Sequence, residues 1–162
     1  IGALDSEFTI THVGSMNEDR NPIVLWEALK KLKERGFAFK VKLIGQVDFA
    51  VMAYAERLGL KDMVEHIPFI PHKEAILLLR KSKVLLLPIN DTPNQAGVLP
   101  GKLYEYIGAN RPILCIGKDT CDAGRILKEI PNAEMCGYEE VDTCISILEK
   151  FSSLDEQSRS QK

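Results

Sequence analysis

The chain has 162 residues, of which 45% are hydrophobic and 27% charged, and its 21 Lys and Arg residues against 23 Asp and Glu residues give a formal net charge of −2. This length fits one globular domain with enough apolar residues for a core, and the near-neutral charge disfavours broad electrostatic binding to nucleic acid or anionic lipid. The longest apolar runs, such as residues 84–88, are far shorter than the ~20 residues that a membrane-spanning helix needs.

Strand-like apolar stretches alternate along the chain with stretches whose apolar residues recur every three to four positions, which is typical of repeated βα units. We therefore predict an α/β fold with a doubly wound parallel sheet of about six strands and helices on both faces. The first strand is predicted at residues 8–13 and ends at Gly14. Asn21 is predicted to cap the next helix, with Pro22 at its first position and Gly36 as its stop. The predicted buried stripe of this helix consists of Leu25, Ala28, Leu29 and Leu32.

The remaining elements follow from the same alternation. Further strands are predicted at residues 41–44, 63–67, 84–87, 112–116 and 133–136. Further helices are predicted at residues 48–57, around 75–79, 100–109, 123–129 and 141–151. The almost wholly apolar strand at 84–87 is expected in the interior of the sheet, and residues 90–98 form a loop by composition. The domain is predicted to span residues 1–154, and residues 155–162 are predicted to be a polar, frayed tail.

Ligands of open parallel sheets bind beyond the carboxyl ends of the strands, so the loops after the first and fourth strands are the first candidates for a site. In the first loop, Gly14 permits a tight turn and Arg20 supplies a cation; a plain turn with a surface arginine is the alternative. The loop has no G-x-G-x-x-G motif, which disfavours a nicotinamide or flavin dinucleotide.

The second loop leads into the helix predicted from Pro100. Its free N–H groups and the positive end of the helix dipole favour a phosphate. Lys102 adds a positive charge near the helix start, and Glu105, three residues later, has the chemistry to accept hydrogen bonds from a diol such as ribose. An exposed ion pair between Lys102 and Glu105 is the alternative.

Four segments, taken in order, resemble the C-terminal half of a GT-B-fold glycosyltransferase, and most of all the retaining family-4 type of group 1. They are His-Val-Gly-Ser-Met at 12–16 with Arg20, Lys-Leu-Ile-Gly at 42–45, Ile-Pro-Phe-Ile-Pro-His-Lys-Glu at 67–74, and Pro-Gly-Lys-Leu-Tyr-Glu-Tyr-Ile-Gly-Ala-Asn-Arg-Pro-Ile at 100–113. The resemblance runs from about residue 8 to residue 154, and residues 100–112 are its most specific part.

The resemblance implies a Rossmann-like domain that binds a nucleoside-diphosphate sugar. Arg20 and Lys102 would stabilise the leaving diphosphate, and Glu105 would hold the ribose hydroxyls. The residues expected to contact the donor are Gly14, Ser15, Phe69, Ile70, Pro71, Gly97, Val98, Leu99, Gly101 and Glu105. Two positions depart from the family pattern, because Ser15 replaces an arginine after the glycine and Gly97 replaces a glutamate eight positions before Glu105.

The implied activity is glycosyl transfer, of hexosyltransferase type, to an acceptor held by the protein's own N-terminal domain, outside this sequence. The isolated chain is accordingly expected to be inactive. The resemblance implies no cofactor or metal besides the donor substrate, because GT-B enzymes generally use protein cations where others use a divalent ion, and this sequence has no Asp-x-Asp motif. No nucleic-acid partner is predicted, and peripheral membrane contact through the N-terminal domain stays open. A sugar-nucleotide epimerase of the same fold and a noncatalytic regulatory α/β domain are the alternatives; Gly14 and Gly45, where a regulatory receiver would carry acidic residues, disfavour the latter.

Several other side chains carry weaker expectations. The chain begins with Ile1 and lacks the layout of a secretory signal, so we expect a piece of a longer, cytoplasmic protein. The cysteines match no zinc pattern and are predicted to be buried or indifferent thiols; they are Cys115, Cys121, Cys136 and Cys144. His12 is expected to be a packed core or rim histidine, with a catalytic base as the alternative. Trp26, Tyr104 and Tyr106 are predicted to be packing residues.

Overall fold

Six parallel strands form one sheet, in agreement with the predicted α/β architecture. The computed structural model describes residues 3–89, 102–118 and 122–160 of the chain. The strands are β1 Thr9–Val13, β2 Lys40–Ile44, β3 Val64–Ile67, β4 Val84–Pro88, β5 Ile113–Ile116 and β6 Ala133–Cys136. Their order across the sheet is β3-β2-β1-β4-β5-β6, so β1 and β4 are the central pair.

Six α-helices are described, and they are α1 Ile23–Glu34, α2 Phe49–Arg57, α3 His72–Lys81, α4 Lys102–Ala109, α5 Asp122–Leu127 and α6 Val141–Ser160. Short 3₁₀ turns at Glu18–Arg20 and Lys61–Met63 precede α1 and β3. Within the described ranges, no helix has both the length and the apolar character needed to cross a membrane.

The start of α1 differs from the prediction. Asn21 does not cap this helix: the residue before Ile23 is Pro22, and it makes no side-chain capping bond. The side chain of Asn21 instead accepts a hydrogen bond from the indole of buried Trp26, at 2.9 Å. The sequence pattern could not separate these two uses of Asn21, since either one satisfies its amide group. The predicted buried stripe of the helix is confirmed.

The sheet has an apolar core on each face, which explains the composition of β4. Val84 and Leu86 pack with residues of α1, α2 and α6, whereas Leu85 and Leu87 pack with residues of α3, α4 and α5. Every residue of β4 is buried, as expected of a strand covered on both sides. The three described cysteines, Cys115, Cys136 and Cys144, are buried, as predicted; Cys121 lies outside the described residues.

The predicted frayed tail is wrong over residues 155–160, because α6 continues to Ser160. Asp155 lies on this extension, and its carboxylate meets the ammonium of Lys83 at 2.8 Å. The Lys83 side chain is only 3% exposed and that of Asp155 14% exposed. The polar composition of this segment predicts fraying, yet one of its residues is the charge partner of a lysine at the amino end of β4. This ion pair fixes the start of the extension.

Candidate functional site

The central strands β1 and β4 separate toward their carboxyl ends. Their register pairs are Ile10 with Val84 and Thr11 with Leu85. Beyond these pairs the hydroxyl of Tyr106 bridges the strands: it accepts from the backbone N–H of Val13 at 3.1 Å and donates to the carbonyl of Leu86 at 2.8 Å. This is the point where the strand order reverses, and open α/β sheets bind ligands at such points.

Tyr106 does more than the predicted packing. It is fully buried on α4, and burial raises the pKa of its phenol far above the ordinary value. The hydroxyl therefore stays a neutral donor and acceptor between the two strands. Tyr104, also predicted to pack, is 60% exposed, so that prediction is wrong. The two tyrosines lie two positions apart on the helix, and helical geometry turns such neighbours to different sides.

Gly14 and Lys102 lie together at the carboxyl end of β1. The φ angle of Gly14 is +120°, a conformation that disfavours any side chain. A Cβ at this position would lie 3.2 Å from the Nζ atom of Lys102. The bare glycine therefore leaves room for an amine that reaches across from the first turn of α4.

The closest polar contact of Lys102 is one that the sequence did not indicate. Its Nζ atom lies 2.5 Å from Nε2 of His12, whose side chain is completely buried in β1. No partner for His12 Nδ1 is found among the described residues. Burial lowers the pKa of His12 well below its ordinary value, and the charges of Lys102 and Arg20 lower it further. Burial, followed by the charge of Arg20, lowers the pKa of Lys102 to about 7.

Arg20 approaches the same place from the loop after β1. The side chain of Asn17 accepts from the backbone N–H of Arg20 at 3.1 Å, which fixes the 3₁₀ turn. The guanidinium donates from Nη1 to the carbonyl of Ser15 at 3.3 Å. Its charge acts on both His12 and Lys102, so the described part of the site is electropositive. Lys102 makes no ion pair with any carboxylate of residues 3–89, 102–118 or 122–156.

Glu105 contacts a different partner from the one considered in the sequence. Its carboxylate lies 3.3 Å from Nε2 of His72, so the ion pair with Lys102 is not formed. His72 is the first residue of α3 and directly follows the turn of Phe69, Ile70 and Pro71. In this turn Phe69 is 81% exposed and Ile70 is half-buried. The contact thus joins Glu105, proposed for the ribose, to the residue that follows the turn proposed for the base edge.

Two open clefts flank the loop that carries Ser15 and Arg20. One, of about 350 Å³, is lined by Arg20, Ile89 and Tyr138 on the side of β4 to β6. The other, of about 380 Å³, is lined by Ser15, Gly45 and His66 on the side of β2 and β3. The loop is therefore open to solvent-sized molecules on either side.

Some predicted site residues lie outside the described residues, namely Gly97, Val98, Leu99 and Gly101. The backbone amides that directly precede Lys102 also lie outside the described residues. Their role as hydrogen-bond donors to a phosphate therefore stays a prediction. No group of three or more His, Cys, Asp or Glu side chains with metal-binding geometry occurs in the described part of the chain.

Comparison with known proteins shows the family of the chain. The family model described as glycosyl transferases group 1 matches residues 2–129. WcaL of Escherichia coli (strain K12), which carries the name of a colanic acid biosynthesis glycosyltransferase, is 27% identical over 153 residues, covering 90% of this chain and 36% of WcaL.

Two solved structures establish the fold. The apo form of the lipopolysaccharide outer core galactosyltransferase WaaB aligns with a TM-score of 0.69 and 18% identity, over 93% of this chain and 42% of WaaB. A mutant of TarM from S. aureus, in complex with Fondaparinux, alpha-GlcNAc-glycerol and UDP, aligns with a TM-score of 0.71 and 15% identity, over 94% of this chain and 30% of TarM. The chain thus spans less than half the length of each of these proteins.

Proposed function

The chain belongs to the group 1 glycosyl transferases, and from this premise we propose that it is the domain that binds the nucleoside-diphosphate sugar donor. The observation that carries the proposal is the position of Lys102, whose amine lies beside Gly14 at the strand-order reversal and makes no ion pair with a described carboxylate. An uncompensated, half-buried amine at such a crevice favours an anionic ligand.

The diphosphate is assigned to Arg20 and Lys102. When the glycosidic bond to the donor breaks, negative charge develops on the leaving diphosphate. Fixed cations lower the energy of this charged state more than that of the ground state, and so they accelerate the reaction. Arg20 is suited to this role because its loop is fixed by Asn17, and Lys102 because its amine is oriented by His12.

The nucleoside is assigned to the surface beside α3 and α4. Glu105 would accept hydrogen bonds from the ribose hydroxyls, and the turn of Phe69, Ile70 and Pro71 would meet the base. The contact between His72 and Glu105 supports this assignment, because it places the carboxylate next to that turn. The match to TarM adds support, since the TarM structure contains UDP.

The complete enzyme would need an N-terminal domain that holds the acceptor. The coverage of 36% of WcaL is consistent with a second domain of comparable size or larger. In this proposal the protein cations offset the diphosphate charge, so activity of the complete protein is expected to persist in EDTA. The isolated chain is expected to bind nucleotide without catalysing transfer.

The first test is nucleotide binding by this chain. We expect UDP, GDP or ADP to shift the amide resonances of Arg20, Lys102 and Glu105 in a titration followed by NMR. The variants Arg20→Gln and Lys102→Gln should weaken the binding, whereas Lys61→Gln, at a 71% exposed lysine paired with Glu56, is the matched control and should not. If none of the three nucleotides shifts these resonances, the proposal is overturned.

The second test is turnover by the complete protein. Loss of one group that stabilises a developing anion typically lowers the rate by about 10²- to 10³-fold, so Arg20→Ala and Lys102→Ala should each show a loss of this order. Glu105→Ala should chiefly raise the KM for the donor. Unchanged turnover in both cation variants would remove Arg20 and Lys102 from the site.

A further inference from the structure

The amine of Lys102 is held by an imidazole. Nε2 of His12 lies 2.5 Å away, and the histidine is completely buried within a central strand, so its ring is a fixed anchor. The same amine lies beside Gly14, where a Cβ would be only 3.2 Å from Nζ. The direction of the Lys102 side chain is therefore set before any ligand arrives.

Within the described part of the chain, the charged groups around this amine are all cationic or neutral. Arg20 faces it from the loop after β1, and His12 faces it from β1 itself. On its own helix, the nearest acidic residue in sequence is Glu105, which contacts His72 of α3. Among the described residues, no carboxylate compensates the ammonium form of Lys102. Partial burial without a counter-charge favours the neutral amine.

The tautomer of His12 does not resolve this imbalance. If Lys102 donates to Nε2, the ring proton lies on Nδ1, which has no acceptor among the described residues. If Nε2 carries the proton, it donates to a neutral amine and Nδ1 lacks a donor. A second proton on the ring would place another charge inside the sheet, beside two cations. Of the pair formed by His12 and Lys102, only the lysine can therefore take up an added proton and its charge.

We propose that His12 is a positioning residue that holds the Lys102 amine beside Gly14, and that binding of a diphosphate adds one proton from solvent to this amine. The step converts the neutral amine to an ammonium, and no other bond changes. It rests on the proposed function, because it needs a diphosphate at this place. The anion supplies the counter-charge that the described residues lack.

Proton uptake has a defined consequence for affinity. Because the pKa of Lys102 in the free chain is about 7, a large part of the amine is neutral at pH 7.5. Above pH 7, each increase of one pH unit should weaken diphosphate binding by about tenfold, because the complex holds one proton more than the free chain. Below pH 7 this effect disappears, as the amine is already protonated.

The experiment is calorimetric titration of this chain with UDP at pH 7.5 in two buffers of different ionisation enthalpy. Lys102→Arg is the matched reference, because a guanidinium keeps its proton throughout the pH range. The protons taken up or released by the terminal phosphate of UDP are the same in both titrations, so they cancel in the comparison. The wild-type chain should take up about 0.8 proton more than Lys102→Arg, as expected at pH 7.5 for an amine whose pKa is about 7. GDP and ADP replace UDP if UDP does not bind.

The role of His12 is tested with two variants. His12→Leu keeps a buried side chain of similar size but removes the acceptor, and should weaken UDP binding at pH 7 by about tenfold. It should also move the midpoint of the affinity profile to lower pH, because the ammonium loses its hydrogen bond. In His12→Gln the amide oxygen can reach toward the position of Nε2. This variant should therefore restore part of the UDP affinity and reverse part of the shift in the midpoint. A merely structural role would change the melting temperature of the variants and leave the midpoint unmoved.

The outcomes separate the two proposals. Absence of binding by all three nucleotides overturns the proposed function and, with it, the proton uptake. Binding with equal proton counts in the wild-type chain and Lys102→Arg overturns the proton uptake and leaves the proposed function standing. If the midpoint of the profile of UDP affinity against pH is unchanged in folded His12→Leu, His12 does not position the Lys102 amine. If that variant does not fold, His12→Gln decides the same point by its midpoint.

Discussion

A buried lysine and a half-buried lysine lie at opposite ends of the sheet, and their surroundings differ in kind. At the amino end, the ammonium of Lys83 meets the carboxylate of Asp155 at 2.8 Å. At the carboxyl end, the amine of Lys102 meets the imidazole of His12. Lys83 is paired within the fold and stabilises it, whereas Lys102 lacks a described counter-charge and is available to an anion. The comparison shows how one residue type serves structure in one place and binding in another.

The largest expected effect is at the paired end. Asp155→Ala would leave Lys83 buried and unpaired, which should lower the free energy of unfolding by about 3 to 5 kcal/mol. Urea unfolding at pH 7 measures the loss. Glu156→Ala, at the exposed neighbouring residue, is the control and should change stability by less than about 0.5 kcal/mol. Equal effects of the two variants would show that the ion pair does not anchor the end of α6.

The next effect concerns the bridge beside Lys102. Tyr106→Phe removes the hydroxyl that satisfies the N–H of Val13 and the carbonyl of Leu86. Leaving two such groups unsatisfied should lower the free energy of unfolding by about 2 to 4 kcal/mol. Tyr104→Phe is the control at an exposed position of the same helix and should be close to neutral. A neutral Tyr106→Phe would show that β1 and β4 hold together there without the hydroxyl.

The secondary structure was predictable because it depends on local patterns. Residues 133–136 were predicted as a strand from their composition, and β6 has the same bounds. The carboxyl-end loops with Gly14 and Lys102 were also found, because glycine and a cation near a helix start are local signals. The extension of α6 to Ser160 was not predicted, and its first residue, Asp155, pairs with Lys83, which lies far away in the sequence.

The partners of the site residues could not be predicted in this way. His12 and Lys102 lie 90 positions apart, and the partners Lys83 and Asp155 lie 72 apart. Periodicity indicates which face of a strand or helix a side chain occupies, but the contact depends on strand order and on the reach of each side chain. The sequence carries one signal that could have found His12: a histidine within a strand otherwise built of apolar and hydroxyl side chains.

A third prediction uses pH to test the burial of a neutral His12 at the carboxyl end of the sheet. His12 is neutral in the folded chain because its pKa is lowered, whereas in the unfolded chain it takes up a proton below its ordinary value of 6.5. Protonation therefore favours unfolding, and lowering the pH from 7.5 to 5.5 should cost about 1.4 kcal/mol through His12 alone. Thermal or urea unfolding at both values measures it. His12→Leu should lack this part of the loss, and an identical pH dependence in the variant would contradict the burial of a neutral His12.

The smallest expected effect has a sign that separates the two lysines. The lowered pKa of Lys102, about 7, means that the folded chain releases this proton more readily than the unfolded chain, so stability rises with pH from 7 to 10.5. Lys102→Met removes the cost of burying the amine but leaves the buried Nε2 of His12 without its partner. The second effect offsets most of the first, so the free energy of unfolding at pH 7 should rise by only about 1 kcal/mol, while the binding of diphosphate is abolished. Lys83→Met should instead destabilise the chain, because Asp155 loses its partner. Urea unfolding of both variants measures the signs, and a loss of stability in Lys102→Met would mean that the fold, and not an anion, is what this lysine serves.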